Sequence, residues 1–112
     1  MTTLLPRDSD GTAIGALRLI PGGAQTIAVG AASVRTATAF SPDTRVIAVY
    51  ATQPAFIQSG GTTVTASGTD HYLPADTLVY LSLGGDKRTQ HTWLAAIQAT
   101  AVSGVLYVSE LE

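Results

Sequence analysis

Cysteine is absent from the 112 residues, which excludes disulfide bridges, thiolate metal sites and cysteine nucleophiles. Asparagine is absent too, so the chain holds no N-glycosylation acceptor. Charge is scarce: 12% of the residues are Asp, Glu, Lys or Arg, about half the ~25% of an ordinary domain. Lys87 is the single lysine, and the arginines (Arg7, Arg18, Arg35, Arg45, Arg88) are scattered. With a net charge of −2, nothing supplies the basic face that nucleic acid or anionic lipid would need. No apolar run approaches the roughly 18 residues of a membrane helix. Met1–Arg7 lacks the basic start and apolar stretch of a secretory signal. The expectation is a soluble protein with neither nucleic acid nor membrane as partner.

What is present is β-forming. A chain of this length suits one domain, with roughly two-thirds of its surface buried on folding. The hydrophobic fraction of 46% supports a core of that kind. Short runs rich in Val, Ile, Thr and aromatics recur between turn signals, the pattern of an antiparallel sandwich or barrel. Strands are expected at Ala13–Ile20, Gln25–Val29, Ser33–Ala39, Arg45–Ala51, Ala55–Gln58, Thr62–Ala66, Leu78–Leu83, His91–Thr100 and Gly104–Ser109. The turns between them include Pro21-Gly22-Gly23, Ser41-Pro42-Asp43, Gly60-Gly61, Ser67-Gly68-Thr69-Asp70 and Gly84-Gly85-Asp86. The fold class is therefore all-β, with eight or nine short strands in a jelly-roll or immunoglobulin-like sandwich, or a barrel. Residues 1–11 read as a flexible N-terminal arm and 12–110 as the single β domain. Leu111-Glu112 has the form of a purification-tag junction and is set aside from the fold.

Both faces of Arg45–Ala51 are apolar, as expected of a central strand buried on both sides. Leu78–Leu83 has the same character, whereas Thr63 and Thr65 alternate with Val64 and Ala66 as in a half-exposed strand. Trp93–Val102 admits a second interpretation, because Trp93, Ala96, Ile97 and Ala101 would share one helical face. A strand is favoured there, with a short helix near residues 88–98 as the alternative. Sparse charge has a consequence for this class. Exposed sheet edges are usually blunted with charge, especially Lys, to stop edge-to-edge pairing. A β protein without such charges is either aggregation-prone or has its edges and faces covered by other subunits, and the second is favoured here.

No motif carries chemistry. His71 and His91 have no spacing that predicts a convergent metal site, which needs three or four ligands. Ser67, His71 and Asp76 would make a triad only on paper, with no G-x-S-x-G elbow to support it. Asp8-Ser9-Asp10-Gly11 resembles the middle of a calcium loop, but the flanking ligand positions hold Pro6 and Leu17. The glycine pairs form no phosphate-binding fingerprint. No residue is therefore expected to serve catalysis, a metal or a cofactor. Among the aromatics, Tyr50, Tyr80 and Tyr107 lie in apolar strands and are expected in the core. Tyr72 and Trp93 remain as the exposed candidates for contacting a ligand.

From about Arg45 to Glu110 the chain resembles a family of short β-rich virion proteins of tailed phages and prophages. The resemblance is carried by Arg45-Val46-Ile47-Ala48-Val49, by Ala55-Phe56-Ile57-Gln58-Ser59-Gly60 leading into Val64-Thr65-Ala66, by Asp70 with Tyr72-Leu73-Pro74-Ala75, and by Gly104-Val105-Leu106-Tyr107-Val108. Proteins of this kind are encoded near capsid genes, and several decorate or cement the head. The resemblance implies a non-enzymatic structural protein with capsid subunits as partner, found in the virion or in the host cytoplasm before assembly. A homo-oligomer is expected with it, a trimer being favoured. The rival expectation is a carbohydrate- or receptor-binding sandwich module of the tail-fibre or adhesin kind. Exposed, adjacent aromatics would favour that rival.

Overall fold

Period-two alternation places Ile47, Val49 and Ala51 on one side of a strand and Val46, Ala48 and Tyr50 on the other, and the first set is fully buried. That strand organises the fold in the computed structural model, which describes residues 17–85 and 88–112. The described residues form β1 (Leu19–Val29), β2 (Val34–Arg35), β3 (Val46–Ala51), β4 (Ala55–Gly60), β5 (His71–Leu73), β6 (Leu78–Ser82), β7 (Trp93–Gln98) and β8 (Gly104–Leu111). They make two four-stranded antiparallel sheets, ordered β1-β8-β3-β6 and β2-β7-β4-β5. The sheets pack face to face as an all-β sandwich, the expected class.

The core lies between them. Ile27, Val29, Ile47, Val49, Leu106 and Val108 of the first sheet meet Ala55, Ile57, Leu73, Leu94 and Ala96 of the second, with Phe40 and Leu83 from the connections. Each large side chain so buried contributes about 1.5–3 kcal/mol relative to leaving it in water. One carboxylate joins them. Glu110, on the inner face of β8 opposite Ile47, is buried. Its Oε1 accepts hydrogen bonds from Ser41 N–H at 2.8 Å and from the Thr44 hydroxyl at 2.7 Å. The buried charge is held because it fastens the loop before β3.

Several expectations are corrected. Residues 88–98 contain no helix; Trp93–Gln98 is strand β7, paired to β4 along its whole length. Pro21-Gly22-Gly23 does not separate two strands but interrupts one. The register of β1 against β8 shifts between Leu19 and Ala24, and Gly22 supplies the positive φ of 75° there. Thr62–Ala66 is not a strand. It turns back over the second sheet, where Val64 packs so tightly on Gly60 that a Cβ there would lie 3.0 Å from it. Arg35 donates to Val64 O and Ala66 N–H donates to Ser33 Oγ, which secures this strap. Ala95 is fully buried although it lies on the outward side of β7. His71–Leu73, expected as loop, pairs with β4 as edge strand β5. Finally, β6 is an edge strand and not a central one.

Leu111 and Glu112, set aside on sequence grounds, take part in the fold. Leu111 closes β8 between Leu19 and Val46 and is buried. Glu112 exchanges two backbone hydrogen bonds with Arg18 and pairs with its guanidinium at 2.8 Å. The expected arm at residues 1–11, its calcium-like Asp8–Gly11 turn and Lys87 lie outside the described residues.

Candidate interaction surface

The outward face of the first sheet can be assembled row by row from the strand registers. One row runs Thr26, Tyr107, Tyr50, Leu78; the next runs Ala24, Ser109, Ala48, Tyr80; the third runs Leu19, Leu111, Val46, Ser82. No residue in these rows is charged. Leu17, Leu19, Val46, Ala48, Leu78, Tyr80, Ser109 and Leu111 line a shallow groove of about 560 Å³ on this face. Large apolar groups remain in contact with water around it: Leu19 is 71% exposed, Leu78 53%, Tyr80 63% and Tyr107 48%. Contiguous apolar surface of this kind marks interaction sites on soluble proteins, whereas single exposed leucines do not.

This arrangement overturns the expectation that Tyr80 and Tyr107 pack in the core; Tyr50 is half-buried. All three tyrosines occupy the outward side of their strands. A strand apolar on both faces implies cover on both, and here one face has no covering layer among the described residues. The signal that could have found it was the tyrosine itself, whose hydroxyl favours a site with one wet end.

Tyr50 is fixed at the rim of the face. Its hydroxyl donates to Asp76 Oδ1 at 3.0 Å. Asp76 sits in the β5–β6 turn with φ of 57°, a left-handed conformation that Asp tolerates, and its N–H donates to Ala51 O. The hydrogen bond to the carboxylate, with lesser contributions from desolvation and from the carboxylate's charge, raises the Tyr50 phenol above its ordinary value of 10.0.

The two residues singled out from sequence are on the other sheet. Tyr72 is exposed, and its ring meets Phe56 edge-on at 5.8 Å. Trp93 is half-buried and stands opposite Gly60. They share the outward face of that sheet but not a neighbourhood. β4 lies between their strands, and their rows, at Phe56 and Gly60, are about 13 Å apart along it. They do not form one platform.

The paper triad does not assemble. Ser67 is bonded to Thr69 and Asp70, while the Asp76 carboxylate holds Tyr50. His71 faces Ile57 at the sheet edge. A contact that sequence reading missed is the Ser59 Oγ to His91 Nδ1 hydrogen bond of 2.7 Å. It opens on a polar pocket of about 400 Å³ lined by Ser59, Ser82, Leu83, Gly84, Arg88, Thr89 and His91. Among the described residues of that lining there is no carboxylate to orient the imidazole, as a nucleophile–base pair would require. The backbone bonds from His91 N–H to Leu83 O and from Thr92 N–H to Gly60 O identify the contact as part of the tie between this loop and β4. Among the described residues no group of three or more His, Asp or Glu side chains is placed to hold a metal ion.

Comparison with protein-family models, with curated proteins and with solved structures returned no match. The resemblance to phage virion proteins gains no support from them.

Proposed function

We propose that this chain is a non-enzymatic structural protein that works through its surface, as a homo-oligomer decorating or stabilising a phage or prophage capsid. The observation that carries the reading is the uncharged outward face of β1-β8-β3-β6, with Tyr80, Tyr107, Leu78 and Leu19 exposed on it. A face of this composition suits burial against protein, since interface cores are depleted of charge and enriched in tyrosine. The resemblance of residues 45–110 adds the capsid as the partner. In this reading the protein has no substrate and no cofactor, and it passes from the host cytoplasm into the virion.

A pelleting assay tests it, using empty capsids built from the shell protein of the genome that encodes the chain. Saturable pelleting at a fixed ratio to shell subunits is expected, with at least a tenfold loss of affinity in Tyr107→Glu. Pelleting no greater than that of an inert protein would refute the capsid role.

The carbohydrate-binding reading has one observation in its favour. Tyr50 and Tyr107 are direct cross-strand partners on the open face, with Tyr80 one strand further. Quenching of tyrosine fluorescence by oligosaccharides, abolished in Tyr107→Ala, would place that reading first.

A further inference from the structure

The four strand edges of the sandwich are not equally protected. β1 carries Pro21 and a register break, both of which disrupt an edge as a template. β2 is two residues long and includes Arg35. β5 is three residues long and is followed directly by Pro74. β6 has none of these devices: Leu78-Val79-Tyr80-Leu81-Ser82 is in unbroken register with β3, without proline or charge.

The direction of its free hydrogen-bonding groups follows from one contact. Leu83 N–H donates to Arg45 O at 2.8 Å, continuing the β3–β6 register by one step. Bonded and non-bonded pairs alternate in an antiparallel ladder. The bonded pairs are therefore Ile47 with Leu81 and Val49 with Val79. The backbone N–H and C=O of Leu78, Tyr80 and Ser82 point away from β3, toward an edge with no partner strand among the described residues.

We propose that β6 pairs antiparallel with β6 of a second copy of this chain, about a twofold axis at Tyr80, joining two four-stranded sheets into one of eight. The inference deepens the homo-oligomer part of the proposed function and rests on it. Centred at Tyr80, the pairing sets Tyr80 against Tyr80 and Leu78 against Ser82 in both directions, so every outward group of the edge finds a partner in a bonded pair. A twofold axis brings the central residue beside its own copy and its neighbours within two positions of theirs, so a charged residue there would meet its like; β6 has none. The axis stands perpendicular to the sheet, which leaves the two apolar grooves on the same side as one continuous surface. Like pairs with like in such a contact, which yields a dimer or an assembly of dimers and not the trimer expected from sequence. Five paired residues bury much less than the roughly 800 Å² per partner of a stable interface, so the association is concentration-dependent.

Sedimentation of the full chain from about 1 µM to 1 mM tests the pairing. The expected mass rises from 11.5 kDa toward twice that value, whereas Tyr80→Lys, with an unchanged circular dichroism spectrum, stays monomeric throughout. A second variant reports geometry. Facing Cα atoms in a bonded pair lie about 5.5 Å apart, within disulfide range, and the chain has no cysteine of its own. Tyr80→Cys should therefore form a disulfide-linked dimer under mild oxidation, and Thr63→Cys should not. A monomer at every concentration, a trimer, or an oligomer indifferent to Tyr80→Lys would each overturn the edge pairing. In any of those cases, retained pelleting with capsids would leave the capsid role standing without this pairing, whereas a dimer that meets these tests but fails to pellet would leave the pairing standing without that role.

Discussion

Replacing Glu110 by alanine should be among the most destabilising single changes in this protein. The carboxylate lies on the inner face of β8, and one of its oxygens holds both the Ser41 N–H and the Thr44 hydroxyl. Thr44 is itself buried, and Gln90 Nε2 donates to both Ser41 O and Thr44 O, so the loop has little freedom to find substitute partners. The alanine variant loses two charge-assisted bonds and leaves two donors unsatisfied, each costing about 1–3 kcal/mol when buried. Relief of the desolvation cost of the carboxylate offsets part of this. The net expectation is a loss of about 3–4 kcal/mol, a large share of the 5–15 kcal/mol that holds a domain of this size. Glu110→Gln keeps an acceptor oxygen but not the charge and should cost roughly half as much. Urea titration followed by Trp93 fluorescence measures both. A loss below about 1 kcal/mol for Glu110→Ala would refute the argument, because it would mean that the loop is not held by this side chain.

Three further outcomes concern other parts of the fold. The Tyr50 phenol is raised by its bond to Asp76, so the folded state holds that proton more tightly than the unfolded state does. The contribution is present below pH 10 and is lost as pH rises past it; in Asp76→Asn, absorbance at 295 nm should show one tyrosine ionising at lower pH than in the parent chain. Leu106 is fully buried between Ile27 and Ala51, and Leu106→Ala should cost about 2–5 kcal/mol by denaturation. Leu78→Ala, on the open face, should change stability by no more than about 0.5 kcal/mol.

The strands were legible where the signal is local, but their ends were not. Arg45–Ala51, Ala55–Gln58 and Gly104–Ser109 announce themselves by β-branched and aromatic residues set between turn formers; the structure places strands there but carries the last two on to Gly60 and Leu111. Pro21-Gly22-Gly23 reads equally as a turn or as a bulge, because both use the same φ preferences; only the continuation of the β8 ladder on each side makes it a bulge. Thr62–Ala66 alternates like a strand, yet the small Gly60 allows Val64 to lie on top of the sheet instead of beside it.

Composition and periodicity by themselves determined the all-β class and the absence of thiol chemistry, since these depend on residue types and on spacing along one strand. Tertiary structure alone decided which strand became an edge and which apolar face was left open. Leu78–Ser82 and Val46–Ala51 carry much the same pattern, but among the described residues β3 lies between two partners and β6 has one. Alternation specifies two faces and says nothing of what covers them, because cover is supplied by residues far away in the chain.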